Sequence, residues 1–212
     1  MAELSSRQIL ARSWVLLAID ACDRAGLAPL SKIRLHRLIF LSNCLADLFR
    51  TMPPSKRVLK YKRGPFYPDV QWHLDRLATM GLARIQNFAI EQDQFGPWMK
   101  AEYSITQPGI DAARKIRATP FGYSTSGYID ELTFSFATLN GRHLDQVALQ
   151  ELNYSAPGIA EGALITFEDS NTNLALKKTD DFESLAPAIL NSRLREKLLL
   201  YLKYIDTGDV AA

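Results

Sequence analysis

Few residues of this chain are of the types that carry out covalent chemistry. The histidines are His36, His73 and His143. His36 follows Leu35 inside an apolar-periodic helix, His73 falls on a later helix, and His143 begins a third after Gly141-Arg142. A hydrolase or transferase needs a nucleophile, a base and an orienting group brought together. No HExxH, GxSxG or glycine-rich phosphate loop supplies such a set. Asp180, Asp181 and Glu183 have the chemistry of a metal site, but adjacent carboxylates ahead of a helix more often serve its dipole. Cys22 and Cys44 stand far apart without CxxC spacing, which reads as two buried, reduced thiols. The sequence predicts no enzyme, no catalytic residue, no metal ligand and no cofactor.

Charge is the stronger signal. Arg50, Lys56, Arg57, Lys60, Lys62 and Arg63 follow one another with no acidic residue between them. Such a run suits sequence-independent, salt-dependent contact with nucleic-acid phosphates. It also fits a solvated loop, or a strand whose Val58 and Tyr61 pack inward. The candidates for phosphate contact are Lys56, Arg57, Lys60, Lys62 and Arg63, joined by Arg76 from the next helix. Base reading is poorly provided for, because Gln71, His73 and Arg76 are opposed by Asp69 and Asp75. Trp72 and His73 are the candidates for partner contact, aromatic anchors being enriched at interfaces; a core position suits Trp72 equally. Residues 1–118 hold 18 Lys/Arg against 10 Asp/Glu, a net +8, and residues 119–212 hold 7 against 13, a net −6. A basic half and an acidic half suggest two partners rather than one uniform surface.

These residues need elements to place them. Ser6–Ala25 carries apolar residues at helical spacing and stops at Gly26; Ser31 starts a second helix that runs through Phe49 to the break at Pro53-Pro54. Pro68 opens a third helix with Val70, Leu74 and Leu77 inward, and Gly81 ends it. Its polar side is expected to show Asp69, Trp72, His73, Arg76 and Thr79. Leu82–Ile90 and Lys100–Ile105 read as a hairpin turning at Gly96-Pro97, and Thr106 starts a helix to Arg117. Helix, helix, helix, hairpin, helix is the order of a winged helix. Thr119–Gly127 has no strong periodicity, which divides the chain into a winged-helix domain (1–118), a linker (119–127) and a mostly helical domain (128–212). In the last part Tyr128–Leu139 and His143–Leu152 read as helices, and Ile159–Phe167 as helix or short strand. Thr172–Lys178 reads as a strand and Ser184–Ile205 as a long helix, its apolar stripe being either a dimer seam or a closing helix. A degenerate second winged helix fits these pieces.

A length of 212 residues suits one domain or two small ones. With 47% hydrophobic and 23% charged residues the chain has material for a core, which excludes a disordered or collagen-like protein. No apolar run approaches the roughly 18–20 residues that cross a bilayer. Arg12 and Asp20 interrupt Ile9–Ala21, so it reads as neither signal peptide nor anchor. The expectation is a cytoplasmic, mostly helical α+β protein with small hairpins.

Lys60-Tyr-Lys-Arg-Gly-Pro-Phe-Tyr-Pro-Asp69, followed by His73-Leu-Asp-Arg-Leu-Ala-Thr-Met-Gly-Leu82, resembles a motif shared by two groups. One is the middle component of ABC-three-component systems, including the small subunit of Lamassu-type anti-phage defence complexes. The other is the antitoxin group with the Panacea-type domain. Lys32-Ile-Arg-Leu-His-Arg-Leu-Ile-Phe40 resembles the helix that precedes that motif, so the likeness covers about residues 28–118. For the first group it implies a non-catalytic adaptor of an SMC-like ATPase and an effector subunit, in anti-phage or anti-plasmid defence, that touches DNA backbone. Tandem winged helices, as in the kite subunits of SMC complexes, would suit the two-part layout. For the second group it implies neutralising a toxin by direct contact. The segment Ser42-Asn-Cys-Leu-Ala-Asp47 lacks the Trp/Tyr-rich character of the antitoxins, which favours the first group. A winged-helix transcription regulator is the third reading, and a homodimer is compatible with all three.

Overall fold

The hydroxyl of Ser5 accepts from the Gln8 amide while the Gln8 side chain accepts from the Ser5 amide, a capping box that starts helix α1 (Ser6–Arg24). The computed structural model describes residues 5–51, 55, 57–139, 141–167, 173–185 and 194–207. From Trp14 to Cys22 helix α1 is buried without a break. Strand β1 (Leu30–Ser31) is two residues long, and Ser31 also caps α2 (Lys32–Leu45) by accepting from the Arg34 amide. A 3-10 turn at Asp47–Phe49 follows. Strands β2 (Arg57–Tyr61) and β3 (Gly64–Phe66) form a short hairpin, and Pro68 opens α3 (Pro68–Thr79). Gly81, with φ +72°, turns the chain out of that helix in the left-handed region that favours glycine. The long hairpin β4 (Ala83–Asp93) and β5 (Gly96–Ile105) leads to α4 (Gln107–Arg117), whose cap is Thr106.

The rest of the chain contributes α5 (Pro120–Ala137), α6 (Gly141–Gln150), α7 (Leu152–Ser155), β6 (Leu164–Thr166), α8 (Leu174–Leu185) and α9 (Leu194–Asp206). Among the described residues two three-stranded antiparallel sheets result, in the orders β1-β5-β4 and β3-β2-β6. The fold is mixed α+β and mostly helical, as expected from the sequence. The register places Leu30 opposite Tyr103 and Ile165 opposite Val58.

Several expectations are corrected. Residues 120–127 are not a linker but the first turns of α5. Thr119 caps them by accepting from the Gly122 amide, and Pro120 occupies the first turn. The small residues are there for approach: a Cβ on Gly122 would lie 1.8 Å from the Ile116 carbonyl oxygen. The second half does not stand apart, because α5 packs on α1 and α4, α6 on α2, and β6 joins the sheet of β2. Among the described residues β6 is its one strand, so it supplies no second wing. Residues 174–178 are helical rather than extended; the Asn173 side chain accepts from the Ala175 amide and starts α8. Asp180 and Asp181 therefore sit inside a helix, not ahead of one. Helix α9 buries Leu198, Tyr201, Leu202 and Ile205 against α5 and α6, so its stripe closes the core and is not a dimer seam. The predicted helix start at Ser184 falls within α8, and residues 186–193 lie outside the described residues.

Opposite charges of the two halves meet at two joints. Arg117 of α4 reaches Asp20 of α1 at 2.6 and 3.2 Å and Asp130 of α5 at 2.9 and 3.1 Å, and Arg24 pairs with both carboxylates. Arg34 forks onto Asp145 through two bonds of 2.8 Å, with Arg37 beside it. Part of the charge asymmetry is thus neutralised within the molecule. Within the second half one carboxylate is enclosed in the core. Glu151, fully buried, accepts from the Tyr201 hydroxyl, the Asn153 side chain and two backbone amides, which satisfies it inside the core. Burial nonetheless pushes its carboxyl above the usual range.

Candidate functional site

The basic segment folds into the β2–β3 hairpin and its two-residue turn, Lys62-Arg63. Alternation along a strand puts Val58 inward, and it is fully buried. Tyr61 is out of phase with Val58 and lies exposed at 36%, so the expected inward pair fails on parity. Arg63 does not stand in solvent. Its guanidinium forks onto Asp93 at 2.8 and 2.7 Å, donates to the Gly96 carbonyl at 2.9 Å, and stacks near the Phe95 and Trp98 rings. That pairing holds the Asp93 carboxyl below its ordinary range. Lys62 donates to the Phe95 carbonyl at 2.7 Å. The turn of one hairpin is therefore clasped to the tip of the other. Lys60 rests over the Tyr154 ring, its ammonium 5.4 Å from the centroid. Arg57 is exposed at the start of β2, and Lys56 lies outside the described residues. Lys60, Lys62 and Arg63 are thus drawn into internal contacts, invisible while Asp93 and Tyr154 were distant in sequence.

Of the α3 residues expected to share a polar face, Asp69, Trp72, Arg76 and Thr79 are exposed and His73 is buried. Trp72 is exposed, with the guanidinium carbons of Arg12 and Arg76 at 5.4 and 5.0 Å from its ring. His73 is buried with Val70, Leu74 and Leu77, its ring 5.0 Å from that of Trp72 in an edge-on contact, so it is covered rather than presented to a partner. Its position three residues after Val70 and four before Leu77 is a helical core spacing. Burial, then the nearby Arg12, lowers its pKa. His36 is likewise buried. Its Nδ1 accepts from the Tyr67 amide at 3.2 Å, which leaves the proton on Nε2, 3.3 Å from the Gln71 side-chain oxygen. Burial pulls its pKa down to about 4. Both cysteines are buried and unlinked, and burial pushes the Cys22 thiol up to about 12. Among the described residues no group of three His, Cys, Asp or Glu could hold a metal ion.

Sequence reasoning missed the outer part of the β4–β5 hairpin. Ile90 stands opposite Met99, so the two share a face, and Phe88 lies two residues from Ile90 on the same strand. They are exposed at 73%, 55% and 63%. Toward the base the Met99 face continues through Ala101 and Tyr103, both buried against the helices. The apolar stripe therefore starts in the core and runs out into solvent. Isolated exposed apolar residues are ordinary, but a contiguous set on a projecting hairpin marks a contact surface. The signal available beforehand was the apolar content of the first strand, Leu82–Ile90, which was read as one arm of a hairpin with no face assigned to it. The observed turn lies at Gln94-Phe95, two residues earlier than Gly96-Pro97.

No helix among the described residues is long and apolar enough to cross a membrane. No family model matches the sequence, and comparison with curated proteins finds no similar one.

Proposed function

We propose that this chain is a non-catalytic adaptor built on a winged helix, the β4–β5 hairpin being the wing, that docks on a larger protein through the outer face of that hairpin. The observation that carries this reading is the exposed apolar set Phe88, Ile90 and Met99, a shape suited to burial by a partner rather than to chemistry. The order α1, β1, α2, α3, β4, β5, interrupted by the β2–β3 hairpin between α2 and α3, with β1 pairing to β5, supports the winged-helix reading of residues 6–105. The motif from Lys60 to Leu82 supports the choice of partner. It favours a cytoplasmic accessory subunit of an SMC-like ATPase defence complex. Phosphate contact is secondary here, because Lys62 and Arg63 are engaged internally.

The test is co-purification of the tagged chain with the products of its neighbouring genes, for the wild type and for Phe88→Asp/Ile90→Asp. The wild type should bring down a large coiled-coil ATPase in near-equal amount. The double variant should keep its thermal transition, since exposed positions away from special features change stability by about 0.5 kcal/mol or less, yet lose at least tenfold in affinity. Retention of the partner by the variant refutes the docking face. Capture of a small toxic protein instead would replace the adaptor by an antitoxin.

A further inference from the structure

A cleft of about 330 Å³ opens on the other side of the hairpin, between α2, the β2–β3 turn and β5. Trp98, which lines it, is the neighbour of Met99 on β5, so the two project to opposite faces of the sheet. The cleft is separate from the docking face. Its walls are mostly apolar and flat: Ile33, Leu59, Tyr61, Phe66 and Trp98 contribute aliphatic groups and rings. The polar groups on these walls are already committed. His36 uses both ring nitrogens, and Arg63 is neutralised by Asp93 and also donates to Tyr61 and Gly96.

Lys32 is the exception. It lines the cleft, half-buried, and among the described residues makes no hydrogen bond and no ion pair. The charges around it are Arg63, which repels it, and Asp75, which attracts it without a direct pair. A partly desolvated ammonium with no counter-ion raises the energy of the empty site, and an anion relieves it. One cation among apolar ring faces selects a ligand with one negative group and an otherwise apolar, planar body. Nucleotides carry many polar atoms, and beside Lys32 the side chains of this lining offer few further donors, the Tyr61 O–H among them, so they fit poorly. We propose that this cleft binds a small planar aromatic acid, its ring against Tyr61, Phe66 and Trp98 and its carboxylate on Lys32.

The test titrates the full chain with 2-naphthoate and with its neutral counterpart 2-naphthylmethanol, by calorimetry and by NMR of the Trp98 indole N–H, assigned with Trp98→Phe. The acid should bind with a Kd below about 1 mM and about three- to fivefold tighter than the alcohol, the range of a partly exposed ion pair. Lys32→Met should remove that preference and leave the alcohol's affinity unchanged. The acid–alcohol comparison on the wild type needs no substitution, so it decides even where the variant does not fold. Equal affinities for the two compounds, an unmoved Trp98 signal, no binding up to about 5 mM, or a preference that survives Lys32→Met would each overturn the proposal. None of these outcomes touches the docking face.

Discussion

Arg117→Met isolates the charged joint that ties α4 and α5 to α1. Methionine keeps an unbranched apolar stem in the space of the arginine but removes four charged hydrogen bonds, two to Asp20 and two to Asp130. Asp20 has an 8% exposed side chain and would keep only Arg24 at 3.1 Å, while Asp130, 24% exposed, can be rehydrated. Removing one partner of a fully buried pair costs about 3–5 kcal/mol. The residual Arg24 contact and the access of water to Asp130 reduce this to about 2–3 kcal/mol. In a domain of this size that corresponds to a fall in Tm of about 4–12 °C. Urea denaturation would measure the free energy, and a cycle with Asp20→Asn the coupling, expected to exceed about 1 kcal/mol. The double variant should be less damaged than the sum of the singles, because no buried charge is then left alone. A loss below about 0.5 kcal/mol, or strict additivity, would refute the argument. Two separate unfolding transitions would refute the view that the halves share one core.

His36 should make stability depend on pH with a known sign. Its folded pKa lies near 4 against 6.5 for the ordinary side chain, so between these values the unfolded chain takes up a proton that the folded one refuses. Stability is therefore intact above pH 6.5 and falls as pH drops toward 4, by about 3 kcal/mol in total. Urea titrations from pH 7 to 4.5 should give His36→Gln a flatter profile than the wild type, whatever its offset, and parallel profiles would contradict this. Two glycine substitutions should have opposite signs. A Cβ on Gly109 would lie 2.0 Å from the Leu82 carbonyl oxygen, so Gly109→Ala should cost about 1–3 kcal/mol. Gly127, inside α5, has open space around it, and Gly127→Ala should gain about 0.5–1 kcal/mol. Calorimetric Tm values moving in the same direction would show that helix packing around these positions differs from that described.

Signals that act within a few residues were legible from the sequence. Gly26 after the first helix, Ser31 at the start of the second, Pro68 and Gly81 around the third, and Thr106 to Gly109 before the fourth mark elements by capping or turn chemistry, and those elements are present. Residues 119–127 misled because Pro, Gly and Ser also serve a helix that must approach its neighbour closely, as Gly122 does at Ile116. Residues 174–178 misled because the side chain that starts their helix, Asn173, is held in turn by Asn153.

The sequence by itself determined the α+β class, the first three helices, the long hairpin and the burial of both cysteines, since periodicity, caps and turns act locally. Only the tertiary structure decided what the charged and aromatic residues do. Arg63 meets Asp93 thirty positions away, Arg117 meets Asp20 at a separation of 97, and Asn173 bonds to Cys44 across 129. Lys62 and Arg63, the end of the basic run, became a clasp between two hairpins, and His73 lies in the core. Phe88, Ile90 and Met99 on β4 and β5 lie on the surface, because the helices cover that face only as far out as Ala101. Such pairings depend on which surfaces the fold brings together, and local spacing carries no record of them.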